Sequence, residues 1–159
     1  MTETRSSALK CVKLIRSLFF NERYSMAVEL PSASGSFGDE PTLEFPTEQA
    51  PAGLHAVILE EGTGPVVNAG REIEVNYHGQ IWNGGLFDSS YKRGSTTKFP
   101  IGVGTVIAGW DETLVGKTVG SRVLVSIPPE KGYGARGVPQ AGIGGTDTLV
   151  FVVDIVGVK

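Results

Sequence analysis

Apolar and polar positions alternate most cleanly in three places along this chain. Glu72-Ile73-Glu74-Val75-Asn76-Tyr77-His78 puts Ile73, Val75 and Tyr77 on one face of a strand. Arg122-Val123-Leu124-Val125-Ser126-Ile127 repeats the period with Val123, Val125 and Ile127 inward. Near the end of the chain, Leu149, Phe151, Val153 and Ile155 line one face of a terminal strand. Leu54 to Leu59 reads as a further strand and Lys98 to Ile101 as a short one, with turns at Gly62-Thr63-Gly64, Asn83-Gly84-Gly85 and Pro128-Pro129. One segment has helical character: Gly109 to Val115, stopped by Gly116, with Asp111 and Glu112 placed to suit the dipole of its first turn. A helix this short is not stable alone. It must lie on the sheet, with Trp110 and Leu114 inward. The pattern predicts an α+β domain, a twisted antiparallel sheet curling around one short helix.

Composition divides the chain of 159 residues into three zones. Residues 1–25 are basic, and Ala8 to Phe20 has the pattern of a short amphipathic helix interrupted by Lys13 and Arg16. That run is too short to span a bilayer and lacks the form of a secretory signal. Three readings fit it: a basic tail, a membrane-surface helix, or translation that starts at Met26, which agrees best with the change of composition there. Residues 26–52 hold five carboxylates and no Lys or Arg, and are rich in Ser, Gly and Pro, which predicts a disordered acidic arm or linker. Residues 53–159 form the domain.

Charge and chemistry narrow the function. Lys and Arg number 14 against 17 Asp and Glu, dispersed rather than clustered, which disfavours nucleic acid as a partner. The single cysteine, Cys11, excludes an internal disulfide and a cysteine-based zinc site. His55 and His78 lack metal-ligand spacing and read as solvent-facing residues; no metal or organic cofactor is implied. Between Tyr77 and Trp110, aromatic and branched apolar residues gather around one carboxylate, Asp88, without a triad, a metal cluster or a phosphate loop. Such a set suits a dry concave pocket better than covalent chemistry. Read from alternation alone, Tyr77, Phe87 and Phe151 are core, Phe99 is core, Asp88 caps a turn before Ser89-Ser90, and Trp110 plugs the sheet.

Seven pieces occur in an order and spacing that together are specific: Val75-Asn76-Tyr77-His78-Gly79, Gly85-Leu86-Phe87-Asp88-Ser89-Ser90, Val106-Ile107-Ala108-Gly109-Trp110, Val119-Gly120-Ser121-Arg122, Ile127-Pro128-Pro129, Tyr133-Gly134 and Thr148-Leu149-Val150-Phe151. From Leu54 to Val158 the chain resembles the FKBP (macrolide-binding immunophilin) family of peptidyl-prolyl cis/trans isomerases. The resemblance implies a half β-barrel wrapped around one short helix. It implies a substrate pocket of Tyr77, Phe87, Val106, Trp110, Ile143 (with a one-residue shift in the preceding loop) and Phe151. Asp88, Tyr133 and the Ile107 N–H would assist catalysis, Asp88 either by orienting Tyr77 or by polarising the twisted amide. Two departures stand out. Thr97 replaces an aromatic residue that many members carry, opening one wall, and Gly144-Gly145 replaces a Pro-Pro pair. Implied partners are proline-containing polypeptides and macrolides of the rapamycin class, bound by a monomer. A non-catalytic proline-binding or chaperone module is the alternative function. A bacterial cytoplasm is the expected location, with membrane-surface association through residues 1–25 left open.

Overall fold

The structure is a computed structural model that describes residues 29–159; the basic segment and its three readings lie outside the described residues. In chain order the elements are β1 (Ser32–Ala33), β2 (Leu43–Glu44), β3 (His55–Glu60), β4 (Glu72–Ile81), β5 (Leu86–Ser89), α1 (Ser90–Arg93), β6 (Thr97–Pro100), α2 (Ala108–Leu114), β7 (Arg122–Ile127) and β8 (Leu149–Val158). Three 3-10 turns lie between β7 and β8. The main sheet is antiparallel in the order β3-β7-β8-β4-β5, and β6 pairs with β4 beyond the end of β5. This is the α+β architecture that the alternation predicts.

The inward faces behave as their period requires. Ile73, Val75, Tyr77, Val123, Val125, Ile127, Leu149, Phe151, Val153 and Ile155 are all buried in one cluster with Trp110 and Leu114 of α2. The helix fits because Gly109 has no side chain. A Cβ there would stand 2.6 Å from Ile127 Cδ1, so Gly109 lets the helix backbone rest directly on β7. Asp111 then fastens the loop ahead of the helix, accepting the Gly102 N–H at 2.6 Å and the Gly104 N–H at 2.9 Å.

Three expectations need correction. Residues 29–50 of the acidic segment do not form a loose arm. β1 and β2 pair (Ser32 with Glu44, Ala33 with Leu43) and lie over the outer face of the sheet. Leu30, Ala33, Leu43, Phe45 and Ala50 cover Trp82, Leu124, Val150 and Val152 there. The composition argument failed because these few apolar side chains meet a second apolar face already built by β7 and β8. His78 is not solvent-facing. It is 6% exposed, on that outer face, opposite Ser89 in the β4–β5 ladder. Finally, α2 is not the sole helix of the domain, since Ser90–Arg93 forms one turn.

Leu43 tests the docking of the arm. Replacing a buried leucine by alanine typically costs about 2 kcal/mol or more. Leu43→Ala is therefore expected to lower the urea midpoint with an unchanged slope; an undocked arm would leave the midpoint where it is.

Candidate active site

A cavity of about 270 Å³ opens on the inner side of the sheet above α2. Its lining includes Tyr77, Phe87, Asp88, Val106, Ile107, Trp110, Tyr133 and Phe151, which are eight of the nine residues expected from the sequence, together with Thr97, Phe99 and Thr105. Trp110 forms the base. Its ring centroid is 5.2 Å from Tyr77, 5.3 Å from Phe99 and 5.0 Å from Phe151, with Tyr77 and Phe151 edge-on. Edge-to-face contacts of this kind add about 0.5–1.5 kcal/mol each beyond area burial and fix ring orientation. The indole is 5% exposed, and its Nε1 finds no hydrogen-bond partner among the described residues. The site thus carries one unpaired buried donor, which costs about 1–3 kcal/mol.

The sheet aims the other side chains by two local devices. Gly79 lies between Asp88 of β5 and Phe151 of β8 in the ladders. A Cβ there would sit 2.7 Å from Phe151 and 2.9 Å from Phe87. Without one, the two phenyl rings meet edge to face at 5.5 Å across the strand. The second device is a β-bulge. Gly79 pairs with Asp88, but Gln80 pairs with Leu86, which leaves Phe87 as the extra residue. Neighbours on a regular strand point to opposite faces. The bulge re-aims one of them, so Phe87 and Asp88 both reach the cavity.

Asp88 is part of a polar rim. The Tyr77 hydroxyl donates to its Oδ2 at 2.5 Å, and Arg93 Nη1 donates to its Oδ1 at 2.5 Å. Arg93 Nη2 also reaches the Tyr77 hydroxyl and Thr97 Oγ1, each at 3.1 Å, and the guanidinium lies 5.5 Å from the centroid of the Tyr77 ring. Burial and the hydrogen bond to Asp88 push the Tyr77 phenol above its ordinary range, so it remains a donor at neutral pH. Burial and the Asp88 charge raise Tyr133 likewise. The hydrogen bond to Tyr77 is the largest influence raising Arg93. The Ile107 carbonyl accepts from the Trp110 N–H at 3.0 Å, and no backbone acceptor among the described residues takes the Ile107 N–H.

Two assignments from the sequence change. Ile143 does not line the cavity. It is 3% exposed within the main core, because the β7–β8 connection closes on itself through mutual Val138–Ile143 backbone hydrogen bonds and turns that side chain inward. Phe99 serves both core and cavity. Arg93 escaped the sequence reading. Its only signal was a cation five residues after Asp88, near a polar Thr97 where an aromatic was expected. No group of three or more potential metal ligands occurs among the described residues.

The raised Tyr77 pKa fixes a sign. The native state keeps a proton that the unfolded state releases near pH 10. Its contribution to stability is complete below that pH and is lost as pH rises through the higher native value. Urea denaturation between pH 8 and pH 11 should show stability falling on the alkaline side. The fall should be smaller in Tyr77→Phe; an identical fall in both proteins would contradict the Tyr77–Asp88 geometry.

Comparison with known proteins agrees with this construction. Residues 64–156 match the family described as FKBP-type peptidyl-prolyl cis-trans isomerase. The chain is 40% identical over 121 residues to an FK506-binding protein of Streptomyces anulatus, covering 76% of this chain and 98% of that protein. It is 39% identical over 107 residues to the peptidyl-prolyl cis-trans isomerase Mip of Coxiella burnetii, covering 67% of this chain and 45% of that one. The crystal structure of AtFKBP13 superposes with a TM-score of 0.62 at 36% identity, over 69% of this chain and 96% of the other. With its sheet, its α2 tryptophan and its family match in agreement, the chain belongs to the FKBP-type peptidyl-prolyl cis-trans isomerases.

Proposed function

We propose that this isomerase assists folding by turning Xaa-Pro bonds in unfolded or partly folded polypeptides, and that it does so by desolvation rather than covalent catalysis. The observation that carries this reading is the aromatic cavity with Trp110 as its base and a single carboxylate at its rim. An Xaa-Pro bond rotates over a barrier of about 18–20 kcal/mol because resonance makes the amide planar and polar. Uncatalysed exchange takes tens to hundreds of seconds and limits the folding of many chains. Water stabilises the planar amide through its carbonyl. In an apolar cavity that support is withdrawn, and the twisted, less polar arrangement gains relative to it. Each 1.4 kcal/mol or so removed from the barrier speeds rotation about tenfold.

In this scheme the proline ring rests on Trp110 between Tyr77, Phe87, Phe99 and Phe151. The Ile107 N–H and the Tyr133 hydroxyl donate to substrate carbonyls. The hydrogen bond from the Tyr77 hydroxyl favours the orienting role for Asp88: it holds Tyr77, is itself held by Arg93, and presents a fixed field to the turning amide. Macrolides of the rapamycin class would occupy the same cavity, in keeping with a relative named as an FK506-binding protein. Thr97 would leave them a smaller apolar contact there. Action in a reducing cytoplasm fits a chain with a single cysteine.

A protease-coupled assay on a short Xaa-Pro peptide separates catalysis from mere binding. The wild-type chain is expected to accelerate exchange well above buffer. Asp88→Ala should lose about tenfold or more in kcat/KM, the scale of a charge-assisted hydrogen bond. Rates no better than buffer, with peptide still bound, would establish the non-catalytic module instead.

A further inference from the structure

The turn between β1 and β2, residues 34–42, is clamped to the sheet by a buried ion pair outside the cavity. Arg122 and Asp154 have side chains 1% and 0% exposed and pair through Arg122 Nε and Asp154 Oδ1 at 2.9 Å. Arg122 Nη2 donates to Asp154 Oδ2 as well, at 3.3 Å, and the two Nη groups also donate to the Asp39 and Ser34 carbonyls of the turn. Asp154 accepts the Gly38 N–H at 2.8 Å. The same Asp154 oxygen also accepts the Tyr91 hydroxyl of α1. Burial and the Asp154 carboxylate hold the Tyr91 phenol well above its ordinary range.

Glu40, at the end of this turn, reaches α1 directly. Its carboxylate accepts the Ser89 hydroxyl at 3.1 Å and lies 3.3 Å from Lys92 Nζ. His78 Nδ1 is 3.5 Å away and has no hydrogen-bond partner among the described residues. Ser89 is the N-cap of α1, yet its side chain makes no capping bond, because the hydroxyl is committed to Glu40. A four-residue helix has no stability of its own. Its position follows from its ties: Ser89 and Lys92 to Glu40, Tyr91 to Asp154, and Ser90 Oγ to Asn76 with the Tyr77 N–H donating to it. The next residue, Arg93, is the one that grips Asp88 and Tyr77 at the cavity.

We infer that the acidic arm is a positioning element of the isomerase site, with Glu40 holding α1 so that Arg93 stays fixed against Asp88 and Tyr77. Glu40 touches no part of the cavity and acts only through Arg93. This rests on the isomerase reading of the site.

A double-mutant cycle in the full chain tests it. Glu40→Gln is expected to lower kcat/KM by about two- to fivefold, the range open to a partly exposed ion pair. In an Arg93→Ala background it should change nothing further. By NMR, the Arg93 Nε–H resonance should be broader in Glu40→Gln than in the wild type. An equal loss in both backgrounds, no loss in the wild type, or an unchanged Arg93 resonance would each overturn the proposal. A wild type without activity would strike at the isomerase reading itself, and the Arg93 resonance would still decide whether the arm holds that side chain.

Discussion

The seating of one indole organises this molecule. Trp110 can lie under the cavity only because α2 presses its backbone against β7 at Gly109, and because Tyr77, Phe99 and Phe151 surround the ring from three strands. Those rings are core on one side and cavity wall on the other. The fold therefore does not carry a separate site on a finished core; the site is the upper surface of the core, left uncovered. A cavity lined by rings that are packed against each other keeps its apolar shape without any loop having to move, so a substrate that fills it trades water around its amide for ring surface.

Around that apolar base the polar groups form a short, closed circuit. Asp88 receives Tyr77 and Arg93, Arg93 returns to Tyr77, and Thr97 takes a further guanidinium donor. A carboxylate held from two sides does not need to reorganise as the substrate turns. This favours electrostatic preorganisation over proton transfer. The circuit continues outward through α1 to Glu40 and the buried Arg122–Asp154 pair, so the two faces of the sheet are linked by one turn of helix.

How much of this was legible in the sequence follows from the range of each interaction. The strands β4, β7 and β8 and the helix α2 were readable because their inward faces keep a strict period. The arm was not, because two-residue strands leave no periodic signal. A clue was present nonetheless: Leu124, Val150 and Val152 are apolar on the outward face, beside Arg122 and Asp154, and a face of that kind requires a cover. The joint exposure of Phe87 and Asp88 to the cavity depends on a bulge, which alternation does not forecast. Ile143 was misplaced because its direction is set by a loop pairing with Val138 rather than by any strand period. Arg93 was missed because α1 is too short to announce which way its side chains point.

The account stands on rotation driven by loss of solvation, with no proton moving in the transition state. The most direct test is the solvent isotope effect: kcat/KM for a short Xaa-Pro peptide measured in light and in heavy water at matched acidity. A ratio close to one is predicted. A ratio of about two or more, the mark of a proton in flight, would contradict the mechanism at its root.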